Sequence, residues 1–452
     1  MNGIYVATAI LTVVLGLTVY FTNVKLAKNK IISFILTIST MILMESYIAA
    51  RAQLVTFILF VLTIYFIESF LETGKKRYAI GLIIIPILIA NIHLAVFPFY
   101  FILYMPYIVE YLIYLLANMK VIKYKRKIKK LNQNVIKDEN IENEIANLEE
   151  NLAKEKAKKE VKSFSKLIVK PSKYVVPLII IMIICIFTGL LTPLKDTPYT
   201  YLIKTMQGNT THNISEHLPL VLIQHIGLLV LIEVYLVFLI FTDTKIRLSN
   251  LFLIAGLLLL ALMTRRQESM FVLLGVFVLN RLITSFILKY DDKGIKELER
   301  VCTKPIIMVI LTIIIAVISA ILYKNKMNDE YVLEKDYPVQ ASIWINENLD
   351  VSTMKLFNEY NYGSYLLFND IPVFIDSRAD LYAPEFNGKK DIFTDFINLN
   401  SLNCNIQEKL DEYGFTHIIL KEDAKLNIYF KLKTDTYKNI YSDENFVIYE
   451  KI

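Results

Sequence analysis

The sequence predicts an all-α polytopic membrane bundle of about ten transmembrane helices, followed by a C-terminal extracytoplasmic α/β domain. Three observations carry this. The 452-residue chain is 55% hydrophobic with a mean hydropathy of +0.46, too apolar for a water-soluble domain of this length. Runs of roughly 18–22 apolar residues recur through the first two-thirds, each long enough to cross about 30 Å of hydrocarbon. From about Lys324 that character gives way to short mixed segments.

The expected spans are 3–22, 31–49, 53–71, 79–96, 97–117, 174–194, 218–241, 249–264, 269–288 and 305–323. They divide the chain into a first bundle part (1–117), a charged cytoplasmic helical insert (118–173), a second bundle part (174–323) and the tail domain (324–452). The first span has neither a basic n-region nor a small-residue cleavage site, so no cleavable signal peptide is expected. Cys185, Cys302 and Cys404 fall in a span, a loop and the tail, without motif spacing.

Lysines set the orientation, because cytoplasmic loops carry excess Lys and Arg. Lys25, Lys28 and Lys30 follow the first span, and Lys75, Lys76 and Arg77 follow the third. "KVIKYKRKIKK" follows the fifth, "DTKIR" the seventh and "KYDDKGIKELERVCTK" the ninth. Every basic loop follows an odd-numbered span, so one orientation satisfies them all. The expected location is the cell membrane, multi-pass, with membrane lipids as neighbours and no nucleic-acid partner.

In the insert, Ile141, Ile145, Leu148 and Leu152 recur at 4-3-4 spacing, the pattern of an amphipathic helix, as in one half of a helical hairpin. It reads either as a docking site for a partner or anionic lipid, or as a solvated insertion obeying the lysine rule. The second is the plainer reading, since charge blocks are usually solvated.

This orientation gathers polar groups on the external face. Glu45 and Arg51 flank the turn after the second span, and Asn91 and His93 end the fourth. His212, Glu216 and His217 close the 195–217 loop. Arg265 and Arg266, with Glu268, interrupt the oily run "LLLLALMTRRQESMFVLLG" and mark an external helix–helix turn. Guanidinium groups at an interface suit a phosphate, offering forked donors and a permanent charge. Arg51, His93, Arg265 and Arg266 are therefore the expected phosphate or lipid-donor ligands. A neighbouring carboxylate, Glu216 or Glu45, would take a proton from an incoming hydroxyl.

The plain alternative is snorkelling of the arginines, with Glu45 paired to a nearby cation. His212 and Glu216 lie one helical turn apart, but the spacing fits no recognised zinc motif, so no metal or other cofactor is expected.

In the tail, "YPVQASIWINENL" reads as a helix and "MKLFNEYNYGSYLLFN" as strand, turn and helix. "IPVFIDSRADLYAP" reads as a buried strand entering a polar loop, "EKLDEYGFTHIILK" as helix then strand, and "ENFVIYEK" as the strand closing the sheet. Asp376, Arg378 and Asp380 follow the strand "VFID", where ligand contacts commonly sit. A loop-fixing Arg–Asp network is the bland account, and the preferred one.

The segments "AARAQLVTFILFVLTIYFIE", "GKKRYAIGLIIIPILIANIHLAVF", "NISEHLP" and "FNEYNYGSYLLF…VFIDSRADLY…LDEYGFTHIIL" follow one another in an order that resembles bacterial membrane proteins related to the GT-C-type glycosyltransferases. The resemblance covers all but the charged insert. It implies a multi-spanning enzyme using a polyprenyl-phosphate-linked sugar and an extracytoplasmic acceptor. There are departures. The family's Arg-Pro-Gln-Leu is Arg51-Ala-Gln-Leu, its Asn-x-His-Gly is Asn91-Ile-His93-Leu, and its Glu-Trp is Glu216-His217. Such enzymes carry their catalytic acid in a first external loop after an inside-to-outside span. Here the lysine parity starts the first span outside, so the expectation is a chain lacking that span and loop, or one that has lost the acid.

Three functions compete: the glycosyltransferase, a non-catalytic assembly or binding component acting through the tail, and a lipid-linked glycan carrier. A carrier needs a charged path through the bilayer, for which Glu68 and Glu233 are the few inner-side residues. Sidedness has its own test. In right-side-out vesicles an impermeant maleimide should reach Cys404 while external protease spares 118–173; both in one compartment would refute the orientation.

Overall fold

Charged side chains inside an apolar bundle must pair with one another or retreat to its ends, and both solutions are present. The computed structural model describes residues 2–132, 139–160, 166–208, 213–324 and 332–452. The chain divides into two compact units, one of 1–201 and 215–308, the other of 202–214 and 309–452.

The first unit is helical. Its central helices, Ala52–Thr73 and Glu268–Tyr290, are apolar on every side and correspondingly buried, with Phe57, Phe60, Ile64, Leu273, Leu274 and Phe277 in the core. Buried polar groups tie neighbouring helices to this core. Asn280 donates from Nδ2 to Asn23 Oδ1 (3.0 Å) and Ser33 Oγ (2.9 Å), linking Asn2–Ala27 and Lys30–Leu43 to Glu268–Tyr290.

Among the described residues four helical segments are long and apolar enough to cross a membrane: Gly3–Ala27, Ala52–Thr73, Leu94–Ala117 and Arg265–Tyr290. A fifth results if Asp292–Cys302 and Pro305–Ile321, bent by 82°, form one span. Ten spanning-length helices are therefore not found among the described residues. Each remaining expected span contains a helix of 17 residues or fewer. Lys30–Leu43 gives way to a 3-10 turn at Glu45–Tyr47, and Val175–Thr188 stops before Gly189 and Pro193. Ile226–Phe241 starts well after Pro219. Leu248–Met263, at 16 residues, reaches only about 24 Å.

Basic loops and the residues Arg51, Arg265 and Arg266 occupy opposite ends of the same helices. Arg51 precedes Ala52–Thr73, and Glu72 in its last turn pairs with Lys25 at 2.8 Å; 21 residues of helix separate these ends by about 30 Å. At the Lys25 end lies a buried charge network. Arg281 grips Glu68 with both terminal nitrogens (3.1 and 2.8 Å) and donates to Asn250 Oδ1 (3.1 Å), and Tyr107 donates to Glu68 Oε1 (2.8 Å). Beside it Arg247 Nε donates to both oxygens of the fully buried Glu110 (3.2 and 2.9 Å), whose Oε1 also accepts Lys170 N–H (3.2 Å). Two short parallel strands, β1 (Leu167–Ile168) and β2 (Ile246–Arg247), place Arg247 there.

The insert forms an antiparallel hairpin of Met119–Asn132 and Glu139–Glu160, as the pairs Lys120–Glu155 (3.9 Å) and Lys127–Glu144 (3.6 Å) require. Leu148 of the expected stripe is buried, and Ile145 and Leu152 are half-buried.

The second unit holds a four-stranded sheet in the order β3 (Leu356–Phe357), β4 (His417–Lys421), β6 (Phe446–Lys451), β5 (Tyr437–Ser442). β3 and β4 run parallel; β6 is antiparallel to both its neighbours, with a bulge at Asn439/Tyr441 in β5. Helices Val339–Asn348, Tyr360–Phe368 and Ile406–Tyr413 lie where the pattern places them. Two expectations fail. "ENFVIYEK" is an interior strand, and β5 forms the edge.

The segment 371–376 is not a strand. The side chain of Asn358 replaces a ladder neighbour, accepting Phe374 N–H (2.8 Å) and donating to Ile375 O (2.7 Å). Gly363 makes room for this, since a Cβ there would come within 2.0 Å of Ile375 O.

The Glu68–Arg281 pair generates a direct test. Glu68→Ala strands a buried cation and should cost about 3–5 kcal/mol. The double variant Glu68→Leu/Arg281→Met should recover most of that. Melting temperatures in detergent decide it, and a double variant as unstable as the single would deny the pairing.

Candidate functional site

Three chain segments meet at the arginine end of the first unit. The 3-10 turn Glu45–Tyr47 leads into Arg51, the 3-10 turn Ser215–His217 carries Glu216, and the 3-10 turn Arg265–Gln267 carries both remaining arginines. Backbone bonds fasten them: Arg265 N–H donates to Leu218 O (3.0 Å) and Leu220 N–H to Leu262 O (3.2 Å).

Between them is a cavity of about 330 Å3 lined by Tyr47, Arg51, Gln53, Glu216, Arg265 and Arg266, with Ser46 and Ser215 at its rim. Three guanidinium groups face one carboxylate, a net positive site suited to an anion with at least two charges. Buried Nε of Arg265 finds no hydrogen-bond partner among the described residues, an N–H whose desolvation is offset only by an acceptor.

Glu216 Oε1 lies 3.5 Å from Arg51 Nη1, with the side chains 51% and 66% exposed. An exposed pair of this kind is worth about 0–1 kcal/mol. Either partner is therefore free to engage a ligand.

Glu268 plays another part. Buried at the head of Glu268–Tyr290, its Oε2 accepts Tyr47 O–H (2.7 Å) and lies 2.7 Å from His225 Nδ1. It braces the turn.

His93 sits behind Arg266 rather than in the cavity. A narrow cleft sharing Gln53 and Arg266 with the main cavity contains it. Its Nε2 is 3.4 Å from Arg266 Nη2 and its Nδ1 is 2.9 Å from Thr56 Oγ1. A guanidinium can only donate, so Nε2 accepts and the proton resides on Nδ1. His93 thus positions Arg266. Asn91 instead bonds Leu191 O (3.0 Å).

Glu45 is exposed and does not line the cavity. His212 lies outside the described residues. Among the described residues no cluster of three or more His, Cys, Asp or Glu side chains could hold a metal ion. No known family model matches the chain, and no curated protein matches it.

Sequence reasoning singled out the arginines, Glu216 and Glu268 but missed Tyr47, Gln53 and Thr56. Gln53 stood in plain view inside Arg-Ala-Gln-Leu; Tyr47 and Thr56 carried no signal, because their partners lie 221 and 37 residues away.

The tail cluster is a loop clasp. Buried Asp376 receives Arg378 N–H (2.9 Å) and Arg378 Nε (3.0 Å to each oxygen). Burial pushes the Asp376 carboxyl up, but the Arg378 guanidinium and amide outweigh it, leaving it below its ordinary value. Asp380 lies in the adjoining 3-10 turn Ala379–Tyr382. The "NEYNYGSY…VFIDSR" motif therefore serves packing, through Asn358, Gly363 and Asp376.

Neighbouring Glu359 is a titratable probe of this region. Burial raises its carboxyl from 4.5 to about 7, with the Lys421 ammonium opposing and Asp423 adding. A raised carboxyl binds its proton more tightly when folded, so stability is full below about 4.5 and declines as pH rises to about 7. The loss should be on the order of 3 kcal/mol. Fluorescence of the single tryptophan, Trp344, whose ring centre lies 5.3 Å from that of Tyr441, reports tail unfolding in the intact chain. Glu359→Gln should flatten that pH dependence; an unchanged slope would assign it elsewhere.

Proposed function

We propose that the chain is a GT-C-like membrane glycosyltransferase, or a degenerate relative, acting on a polyprenyl-phosphate-linked sugar at the external membrane face. The convergence of Arg51, Arg265, Arg266 and Glu216 on one cavity carries this reading. The order of motifs adds to it, as does the placing of lysine-rich loops and arginines at opposite helix ends. In this reading the shorter apolar helices cross the membrane together with their flanking turns, giving ten spans. The sheet-bearing unit then stands outside the cell.

The chemistry follows from the lining. The acceptor hydroxyl oxygen bonds to the anomeric carbon, and the bond from that carbon to the phosphate oxygen breaks. The hydroxyl proton passes to the Glu216 carboxylate. The polyprenyl phosphate leaves with the electron pair, gaining a second negative charge opposite three guanidinium groups. Their attraction grows as that charge develops, which is the condition for lowering a barrier rather than merely binding. His93 holds Arg266 in place.

The test is transfer from a labelled polyprenyl-phosphate-linked hexose by the full chain in proteoliposomes. Arg51→Ala and Arg266→Ala should each lower turnover about tenfold to thousandfold, and Glu216→Gln about hundredfold or more. Unchanged turnover in the arginine variants defeats the phosphate site. Donor binding that depends on the arginines without any turnover assigns a non-catalytic binding role.

A further inference from the structure

The charged insert joins the bundle in a way that composition alone does not disclose. Helix Met105–Ala117 ends at Asn118, whose N–H donates to Tyr114 O (3.0 Å), and Met119–Asn132 follows at once, Ile122 N–H donating to Asn118 O (2.8 Å). Residues of both helices nonetheless share one face. At 4-3-4-3-4 spacing it presents Leu112, Leu116, Met119, Lys123, Arg126 and Lys130. These residues line an open concavity of about 700 Å3.

The three apolar residues are 49%, 66% and 62% exposed, and the three basic ones are also exposed. Acidic Glu139–Glu160 pairs with Lys120 and with Lys127, which also borders the concavity. Among the described residues no ion pair reaches Lys123, Arg126 or Lys130.

Dimensions identify the occupant. From Leu112 to Ile122 the groove is apolar for about 15 Å, half the thickness of a hydrocarbon core. From Lys123 to Lys130 it is basic for about 10 Å, the depth at which headgroups lie. We propose that this groove binds an anionic phospholipid, with an acyl chain along Leu112, Leu116 and Met119 and the phosphate and headgroup on Lys123, Arg126 and Lys130. An acidic protein segment would satisfy the lysines but not the apolar wall at hydrocarbon depth.

Native mass spectrometry of the full chain in neutral detergent tests this, with phosphatidylglycerol and phosphatidylcholine of identical acyl chains as probes. Phosphatidylglycerol should be retained preferentially. Lys123→Gln/Arg126→Gln/Lys130→Gln should weaken its retention tenfold or more, at about fivefold per removed charge. Lys125→Gln/Lys129→Gln, on the opposite face, should change it less than twofold. The melting temperature of each variant shows whether the fold is kept, and Leu116→Asn/Met119→Asn tests the apolar wall independently. Equal retention of both lipids, equal loss in the opposite-face variant, or preference for an acidic peptide over phosphatidylglycerol would overturn the proposal.

Discussion

The first unit is organised by the neutralisation of Glu68 by Arg281. Both side chains belong to the most deeply buried helices, and neither is tolerable there alone. Their bidentate contact fixes the two helices in rotation and in axial register at once. Tyr107 and Asn250 bring in two further helices, and the adjoining Arg247–Glu110 contact captures the segment that returns from the insert. With the charge settled at one end, the other end is free to hold cations that are not neutralised in place.

That second end is built differently. Its arginines stand on short turns, but the turns hang on buried helices and are fastened by backbone bonds and by Glu268. Groups held this way keep their geometry when a ligand arrives, which lets their charge act on the ligand without first being reorganised. The weak Arg51–Glu216 contact is the exception, joining two exposed side chains that can part at little cost.

Much of this was legible in the sequence where the signal is local. Apolar runs gave the helices, and Arg265–Arg266 were recognised as a turn because a bilayer centre would not hold them. Other features escaped because they depend on distant partners. Glu110 and Arg247 are 137 residues apart and unremarkable singly. Hydropathy also counts residues rather than turns, so it extended spans across Gly189 and past Met44, where the helices stop. In the tail, "VFID" has strand composition, yet its bonding is satisfied by one asparagine side chain.

The two sheet edges carry a consequence of their own. One edge, β3, is two residues long, and the other, β5, is bent by its bulge and bears Lys438. Neither offers the straight row of unpaired amides and carbonyls that another chain needs in order to add a strand. Copies crowded side by side are thus kept from fusing their sheets, and any assembly through this unit must be made by side-chain surfaces instead.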